Sequence, residues 1–464
     1  MRLSNGCLWT DTSGNPIHAH GGGMLRMGEY VYWFGENRQG RNRVACYRSK
    51  NMTEWEFRGN VLTVDSVFRP IETRTSPELV TDRDKGTGCN MERPKVVYNE
   101  ATGKFVMWMH WENGKDYGAA RCAVATCDTV DGDYVYHGSF NPIGHMSRDC
   151  TLFVDDDGTA YFISASRENA DLHMYRLSDD YLSVDEHVRT LWPGQYREAP
   201  AVLKRDGVYF MITSGCTGWE PNQAKYAFAD SLTGRWSKLY DIGGPTAWDT
   251  QPSYILPVQG TESETYLYLG DRWDPSDYHA SSYVLLPLHF PTPTTMELHW
   301  ADTLKVELST GTAETSRTPS GMFRIRSRSL RYAAPADEDS RIVLQKLSYR
   351  DESQLWIREE ADSGYVRIRH RATGKYLGTL SQDEESVVLL TDRPEEGGQH
   401  WRIVPEPSGG ACRLQHRETG KWLTWSRASE RNGYVADVLP GEEGTAAQTF
   451  LLAEQYGARI DKEV

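Results

Sequence analysis

Glu198 and Asp149 stand 49 residues apart, each directly behind an arginine and just ahead of a short apolar run, in QYREAPAVL and HMSRDCTLF. Glu92 has a related setting in MERPKVVY. Three carboxylates in one recurring context carry information if the fold gathers them. Like charges brought together out of water repel, and the repulsion raises at least one pKa. A carboxylic acid kept protonated near neutrality, beside a second group that handles water or a sugar cation, is what glycosidic-bond hydrolysis requires. The competing reading is a structural ion network with Arg148 and Arg197 as its cations. Alternation along a strand sends neighbouring side chains to opposite faces, so neither arginine is expected to pair with the acid beside it. Catalysis is the preferred reading.

The elements that must position these groups are read from a repeat. One strand recurs as GEYVYWFGE at Gly28, GKFVMWMHW at Gly103, GTAYFISAS at Gly158, GVYFMITSG at Gly207 and ETYLYLGDR at Glu264. The copies start 75, 55, 49 and 57 residues apart and are rich in aromatic and β-branched residues, which marks them as strands. Each is preceded by a short strand (GGGML, PKVVY, CTLFV, APAVL, PSYIL) and followed by a more polar one. Units of about four strands at this spacing predict an all-β fold beginning with a five-bladed β-propeller. The innermost strands of a propeller start near one axis, so equivalent starts converge on one pocket. Counting back nine residues from the opening glycine selects Ala19, Asp149 and Glu198; the second copy offers Glu92, and the fifth Asp249 or Gln251.

After PLHFPTPTT a shorter repeat begins: FRIRSRSLRYAA, VRIRHRATGKYLGTL and CRLQHRETGKWLTW, starting at 323, 366 and 412. Each copy closes on a glutamine and an aromatic residue, Gln354 with Trp356, Gln399 with Trp401 and Gln448 with Phe450. Three such copies predict a threefold β-structure. The expected organisation is a propeller over 1–308, a linker over 309–322 and the threefold domain over 323–464.

Other patterns are weaker. His18 and His20 share a strand face and are expected to be hydrogen-bonded structural histidines under the pocket rather than metal ligands. Asp155-Asp156-Asp157-Gly158 lacks the spacing of a calcium loop and predicts a hairpin turn. Trp111 and Trp219 follow strands that lead to the pocket, and either sugar stacking or rim packing accounts for them. Net charge is −14, from 51 lysines and arginines against 65 acids, which repels a phosphate backbone and excludes nucleic acid as the expected partner. No stretch approaches eighteen apolar residues, so no membrane span is expected. The start MRLSNGCLWT does not read as a signal peptide, which points to the cytoplasm unless a leader was trimmed. Eight scattered cysteines without a CxxC pair are expected to be mostly reduced, buried small hydrophobes. No metal and no cofactor are expected, and the predicted form is a monomer acting on an oligo- or polysaccharide.

The motifs HAHGGG, ERPKVVYN, SRDCTLFVDDDG and REAPAV resemble glycoside hydrolase family 43, specifically its branch of inverting exo-β-1,3-galactanases. The resemblance covers Ile17 to about Leu308. It implies that Glu198 is the general acid and that Asp149 orients that acid and raises its pKa. It implies further that Glu92 is a base or a sugar ligand, and that Gln251 lies where the nucleophilic water sits. Tyr117, Asn169 and Thr217 match sugar-contacting positions, and Trp219 joins them as a stacking candidate. Most of the family keeps an aspartate base in the first blade, where this chain has Ala19. Glu92, Gln251 or a histidine is left for that role, and the expectation is that Gln251 positions the water while Glu92 binds a sugar hydroxyl. The last 140 or so residues resemble a ricin-type β-trefoil, whose QxW residues pack the core and which often binds carbohydrate. Together these imply galactose release from β-1,3-galactan. The alternatives are an α-L-arabinofuranosidase or β-D-galactofuranosidase of the same family, or a glycan-binding protein without catalysis.

Overall fold

Each aromatic run after a turn-forming glycine is a strand in the computed structural model, and each pairs antiparallel with the short strand before it. The structure describes residues 2–71, 79, 86–336, 341–349, 351–382, 385–392, 397–406, 410–429, 433–439 and 446–456. The last residues of the expected threefold domain, 457–464, lie outside them. The chain divides into two units: Met1–Trp273 with His279–Arg317, and Asp274–Tyr278 with Thr318–Val464.

In the first unit five four-stranded sheets follow one another along the chain. Their first strands are His20–Met27, Asn90–Asn99, Cys150–Val154, Arg197–Arg205 and Gln251–Gln259. These strands touch in a closed ring, each against the next and the last against the first. That closure is a β-propeller, and it leaves the five strand starts facing one axis. The sheet count differs from the expected five. A sixth, three-stranded sheet joins Leu3–Ser4, Thr303–Glu307 and Thr312–Ser316, so the propeller carries six. The repeat missed it because none of its strands has the aromatic run behind a turn glycine, and its members come from opposite ends of the unit. Thr312–Ser316 falls within the stretch expected as linker and lies against the fifth sheet's Glu264–Arg272.

Apolar faces of neighbouring sheets meet between the blades. Trp33 and Trp55 are buried there with Trp9 and Tyr283, with Trp33 and Tyr283 edge to face at 4.6 Å. Burying each such side chain contributes on the order of 2 kcal/mol. The glycines of HAHGGG answer to crowding near the axis: a Cβ on Gly22 would collide with the Phe34 carbonyl oxygen, and one on Gly35 with the backbone of Ala19. The DDDG segment is a hairpin turn, closed by Gly158 N–H donating to Asp155 O at 2.9 Å.

In the second unit six strands close a barrel: Met322–Ser327, Trp356–Glu360, Val366–His370, Trp401–Pro405, Ala411–His416 and Phe450–Glu454. This barrel is consistent with a trefoil-like domain. Trp356, Trp401 and Phe450 are wholly buried, each behind a short 3-10 turn that ends on the glutamine of its motif. The glutamines are buried too, and their amides donate to Lys346 O at 2.6 Å, Thr391 O at 3.3 Å and Thr424 Oγ1 at 3.1 Å. These side chains hold the three lobes together.

Candidate active site

Four of the five ring strands break register within their first few residues: after His20, Glu92, Glu198 and Pro252. Gly21, Arg93 and Ala199 take left-handed φ angles of 59°, 55° and 51° at the first three breaks. A bulge re-aims side chains that strict alternation would send apart, and non-glycine residues held in this region cluster where function needs them. Here the bulges let Glu92 and the adjacent Arg93 both line one cavity with Asp149, Glu198 and Gln251, a space of about 340 Å³. Below it the buried Lys95 donates from Nζ to Gly21 O at 2.8 Å and to Arg93 O at 3.3 Å, fastening the bulges of two blades. Burial pushes that amine down to about 7.

Glu198 is buried, and both its oxygens accept amide N–H bonds: Oε1 from Gln251 Nε2 at 3.0 Å and Oε2 from Asn169 Nδ2 at 3.0 Å. Burial first, then the nearby Asp149 charge, push its carboxyl up to about 8 against the pull of Arg93. At neutral pH this group holds its proton, as a general acid must. Asp149 pairs with Arg93 Nη2 at 3.0 Å. Arg148 and Arg197 turn elsewhere: Arg148 to Glu168 Oε2 at 2.5 Å and the Tyr117 carbonyl at 3.0 Å, Arg197 to Thr213. Neither makes its contacts with the acid beside it, although the Arg197 charge pulls weakly against the rise of Glu198.

Gln251 is fully engaged. Its amide N–H groups go to Glu198 and to Ser214 Oγ at 3.1 Å, and its oxygen accepts from Trp273 Nε1 at 2.8 Å and from Arg93. Glu92 accepts from Arg38 at 2.7 Å, Tyr117 OH at 2.8 Å and Asn90 at 3.1 Å, and His110 Nδ1 lies 3.1 Å from its other oxygen. Burial alone would push its carboxyl up, but Arg38, His110 and Tyr117 outweigh that and hold it well below the ordinary carboxylate range. His110 itself sits between Glu92 and Glu112. Burial opposes its charge, but the two carboxylates raise it to about 9, so it is an imidazolium at neutral pH.

Of the other expected residues, Tyr117, Asn169 and Trp219 line the cavity. Trp219 stacks on Trp273 at 5.9 Å and 14° between planes, leaving it 38% exposed. Thr217 is not among the lining residues. Its hydroxyl donates to Glu220 O at 2.6 Å and accepts from Asn222 at 2.7 Å, closing the loop that carries Trp219. Trp111 is buried under Arg121 and packs into the apolar core between the first and second sheets. His18 and His20 are buried as well; His20 Nδ1 lies 3.1 Å from Asp271 and its ring stacks on Tyr283 at 4.7 Å.

Ala19 adds no group to the cavity, yet the first blade does supply a carboxylate. Glu36 lines it from the second strand, directly across the hairpin from His20. Burial pushes Glu36 up to about 7, with Arg38 working against the rise and Glu92 adding to it. Arg38, Arg93, His110 and Trp273 also line the cavity and were not found from the sequence. A signal for one of them exists: His110 is the antiparallel partner of the aligned Glu92, and Glu36 is likewise the partner of His20, next to Ala19.

Glu92, His110 and Asp149 each place one ligating atom within 4.8 Å of the others. A cation there would face the guanidinium groups of Arg38 and Arg93 and a protonated imidazole, so the trio acts as an ion-pair array. Asp149→Asn should expose its electrostatic effect. Removing that charge lowers the affinity of Glu198 for its proton, so activity on the alkaline side should fall away at lower pH than in the wild type. A pH profile of kcat/KM checks this, and an unmoved alkaline limb would refute it.

The profile of the family described as Glycosyl hydrolases family 43 matches residues 15–266. That of the ricin-type β-trefoil lectin domain-like family matches residues 352–439. Among solved structures, an exo-β-1,3-galactanase from Clostridium thermocellum is 39% identical, covers 98% of this chain and 99% of that one, and has a TM-score of 0.63. An exo-β-1,3-galactanase from Phanerochaete chrysosporium, solved with galactose, is 27% identical over 99% of this chain and 94% of that one, with a TM-score of 0.63. Among curated relatives, a xylan 1,3-β-xylosidase from Vibrio sp is 24% identical over 43% of this chain. A β-D-galactofuranosidase from Aspergillus niger is 32% identical over 20% of it. The matched stretches span 37% and 27% of those two proteins.

Proposed function

This chain belongs to glycosyl hydrolase family 43, and from that premise we propose that it is an inverting, exo-acting hydrolase that releases galactose from β-1,3-galactan, the backbone of type II arabinogalactan. The observation that carries hydrolysis is the buried Glu198, raised to about 8 beside Asp149. The bond it cleaves is supported by the two exo-β-1,3-galactanases, which align with nearly the whole chain.

Glu198 gives its proton to the leaving oxygen, and Asp149 positions that acid and keeps its proton affinity high. Glu92, locked as a carboxylate by Arg38, Tyr117 and Asn90, accepts a sugar hydroxyl and faces the developing cation. Trp219 offers its flat face to the ring. Gln251 borders the water's place, but its amide is spent on Glu198, Ser214, Arg93 and Trp273, which leaves it neither a free group for the water nor a basic one. Glu36, near 7, has the affinity a base needs at neutral pH, and we assign it the water's proton. Activity should then rise as pH passes through about 7. In Glu36→Gln that acid limb should vanish and turnover collapse; an unchanged profile would return the role to Gln251 or Glu92. The second unit is taken as a ricin-type β-trefoil that retains the polymer, supported by its matched profile.

The substrate is tested with β-1,3-galactobiose, an aryl β-galactoside and an aryl α-L-arabinofuranoside, following the free sugar. Galactose from the galactobiose is expected. Turnover of the furanoside alone would replace this reading by a furanosidase, and turnover of none would leave a glycan-binding propeller.

A further inference from the structure

Three histidines far from each other in sequence meet at the edge of the third blade. His173 lies on Asp171–Leu177 and His187 on the neighbouring Val184–Leu191, while His145 directly follows the turn Pro142–Gly144. A register shift between Met174 and Tyr175 sets His187 opposite Tyr175, on the same face of the sheet as His173 and diagonal to it. The ring centroids are 4.7 Å apart for His145 and His173, 4.7 Å for His173 and His187, and 5.2 Å for His145 and His187. One ring nitrogen from each lies within 4.8 Å of one from each of the others.

We propose that His145, His173 and His187 form a binding site for a zinc-class divalent metal ion, one that ties the segment entering the third blade to the outer strands of that blade. Three imidazoles suit Zn²⁺, Co²⁺, Ni²⁺ and Cu²⁺ and not the oxygen-seeking Ca²⁺ or Mg²⁺. Zn–N bonds of about 2.0–2.1 Å need nitrogens about 3.3 Å apart, within reach of small ring rotations from the present spacing. The buried Tyr175 supplies the orienting group that metal-bound histidines ordinarily have. Its hydroxyl lies 3.0 Å from Nδ1 of His145 and 3.0 Å from Nδ1 of His173. A phenol oxygen accepts from both N–H groups, and each ring then presents an Nε2 lone pair. His173 is buried, while His145 and His187 are half-buried, so an ion can enter from solvent and keep a water as its fourth ligand. His145 stands four residues before Asp149, and the ion would stiffen the approach to that residue.

The test uses the full chain without a histidine tag, stripped with EDTA and dialysed. Calorimetric titration with Zn²⁺ should give one equivalent bound and a raised melting temperature. His173→Gln and His187→Gln should each weaken binding roughly tenfold or more, whereas Glu92→Gln, in the cavity trio, should leave it unchanged. Melting of each variant without metal establishes that it folds, and the half-buried His187 serves if His173→Gln does not. X-ray absorption at the zinc edge of the loaded wild-type chain should show three imidazoles. No saturable Zn²⁺ binding, wild-type affinity in both histidine variants, or a carboxylate-dominated shell would overturn the proposal.

Discussion

Glu198→Gln should lower kcat/KM on β-1,3-galactobiose by about 10²–10⁴-fold, the usual contribution of a general acid, while the sugar still binds. Glutamine keeps the shape, and its oxygen can still accept from one of the two amides, Asn169 or Gln251, that now donate to the two oxygens of Glu198. What it lacks is the proton that burial and Asp149 hold on Glu198 at about 8. An alkoxide leaving without that proton is a poor leaving group, so the natural disaccharide should suffer most. An aryl galactoside with an acidic phenol needs little protonation and should lose far less. That contrast separates a missing acid from a damaged pocket, and equal activity of variant and wild type on galactobiose would remove Glu198 from the role.

Arg93→Met should cost about 3–5 kcal/mol of stability, as removal of one partner from a buried charge array does, and should abolish turnover. Arg93 is buried with Nη1 on Pro252 O at 2.8 Å and Nη2 on Asp149 at 3.0 Å and on Gln251. Burial opposes its charge, but the carboxylates of Asp149 and Asp271 outweigh that and favour its ionised form. Taking it away leaves Asp149 without its cation and removes one of the two donors to the Gln251 oxygen. Urea unfolding reads the loss as a lower midpoint at unchanged slope. Arg93→Lys should recover part of the stability and little activity, because a point charge does not reproduce the two-pronged contact. An unfolding free energy within about 0.5 kcal/mol of wild type, the range of ordinary surface changes, would show that the array does not need this cation.

The residues that repeat reasoning found and those it passed over differ in a physical way. Asp149, Glu198, Glu92 and Gln251 open successive copies of one strand pair, and copies stacked around an axis bring equal positions together. Glu36, His110 and Arg93 do not open a copy. Glu36 and His110 reach the cavity through antiparallel register, and Arg93 through a bulge that turns two consecutive side chains inward. Ala19 marks the limit: alignment identified a position without its usual carboxylate, and the carboxylate comes from the strand next to it. Thr217 differs in another way: its hydroxyl is engaged within its own loop, with Glu220 and Asn222.

By itself the sequence determined the all-β character of both units, the positions of the repeated strands and four of the groups at the axis, because periodic aromatic runs and turn glycines are local signals. Tertiary structure decided the sixth sheet, the pairing of Arg93 with Asp149, the raised proton affinities of Glu198 and Glu36, and the meeting of three histidines at one blade edge. Those depend on which distant strands pair, where a bulge shifts their register and how much water is excluded between them, and none of these is a property of neighbours along the chain.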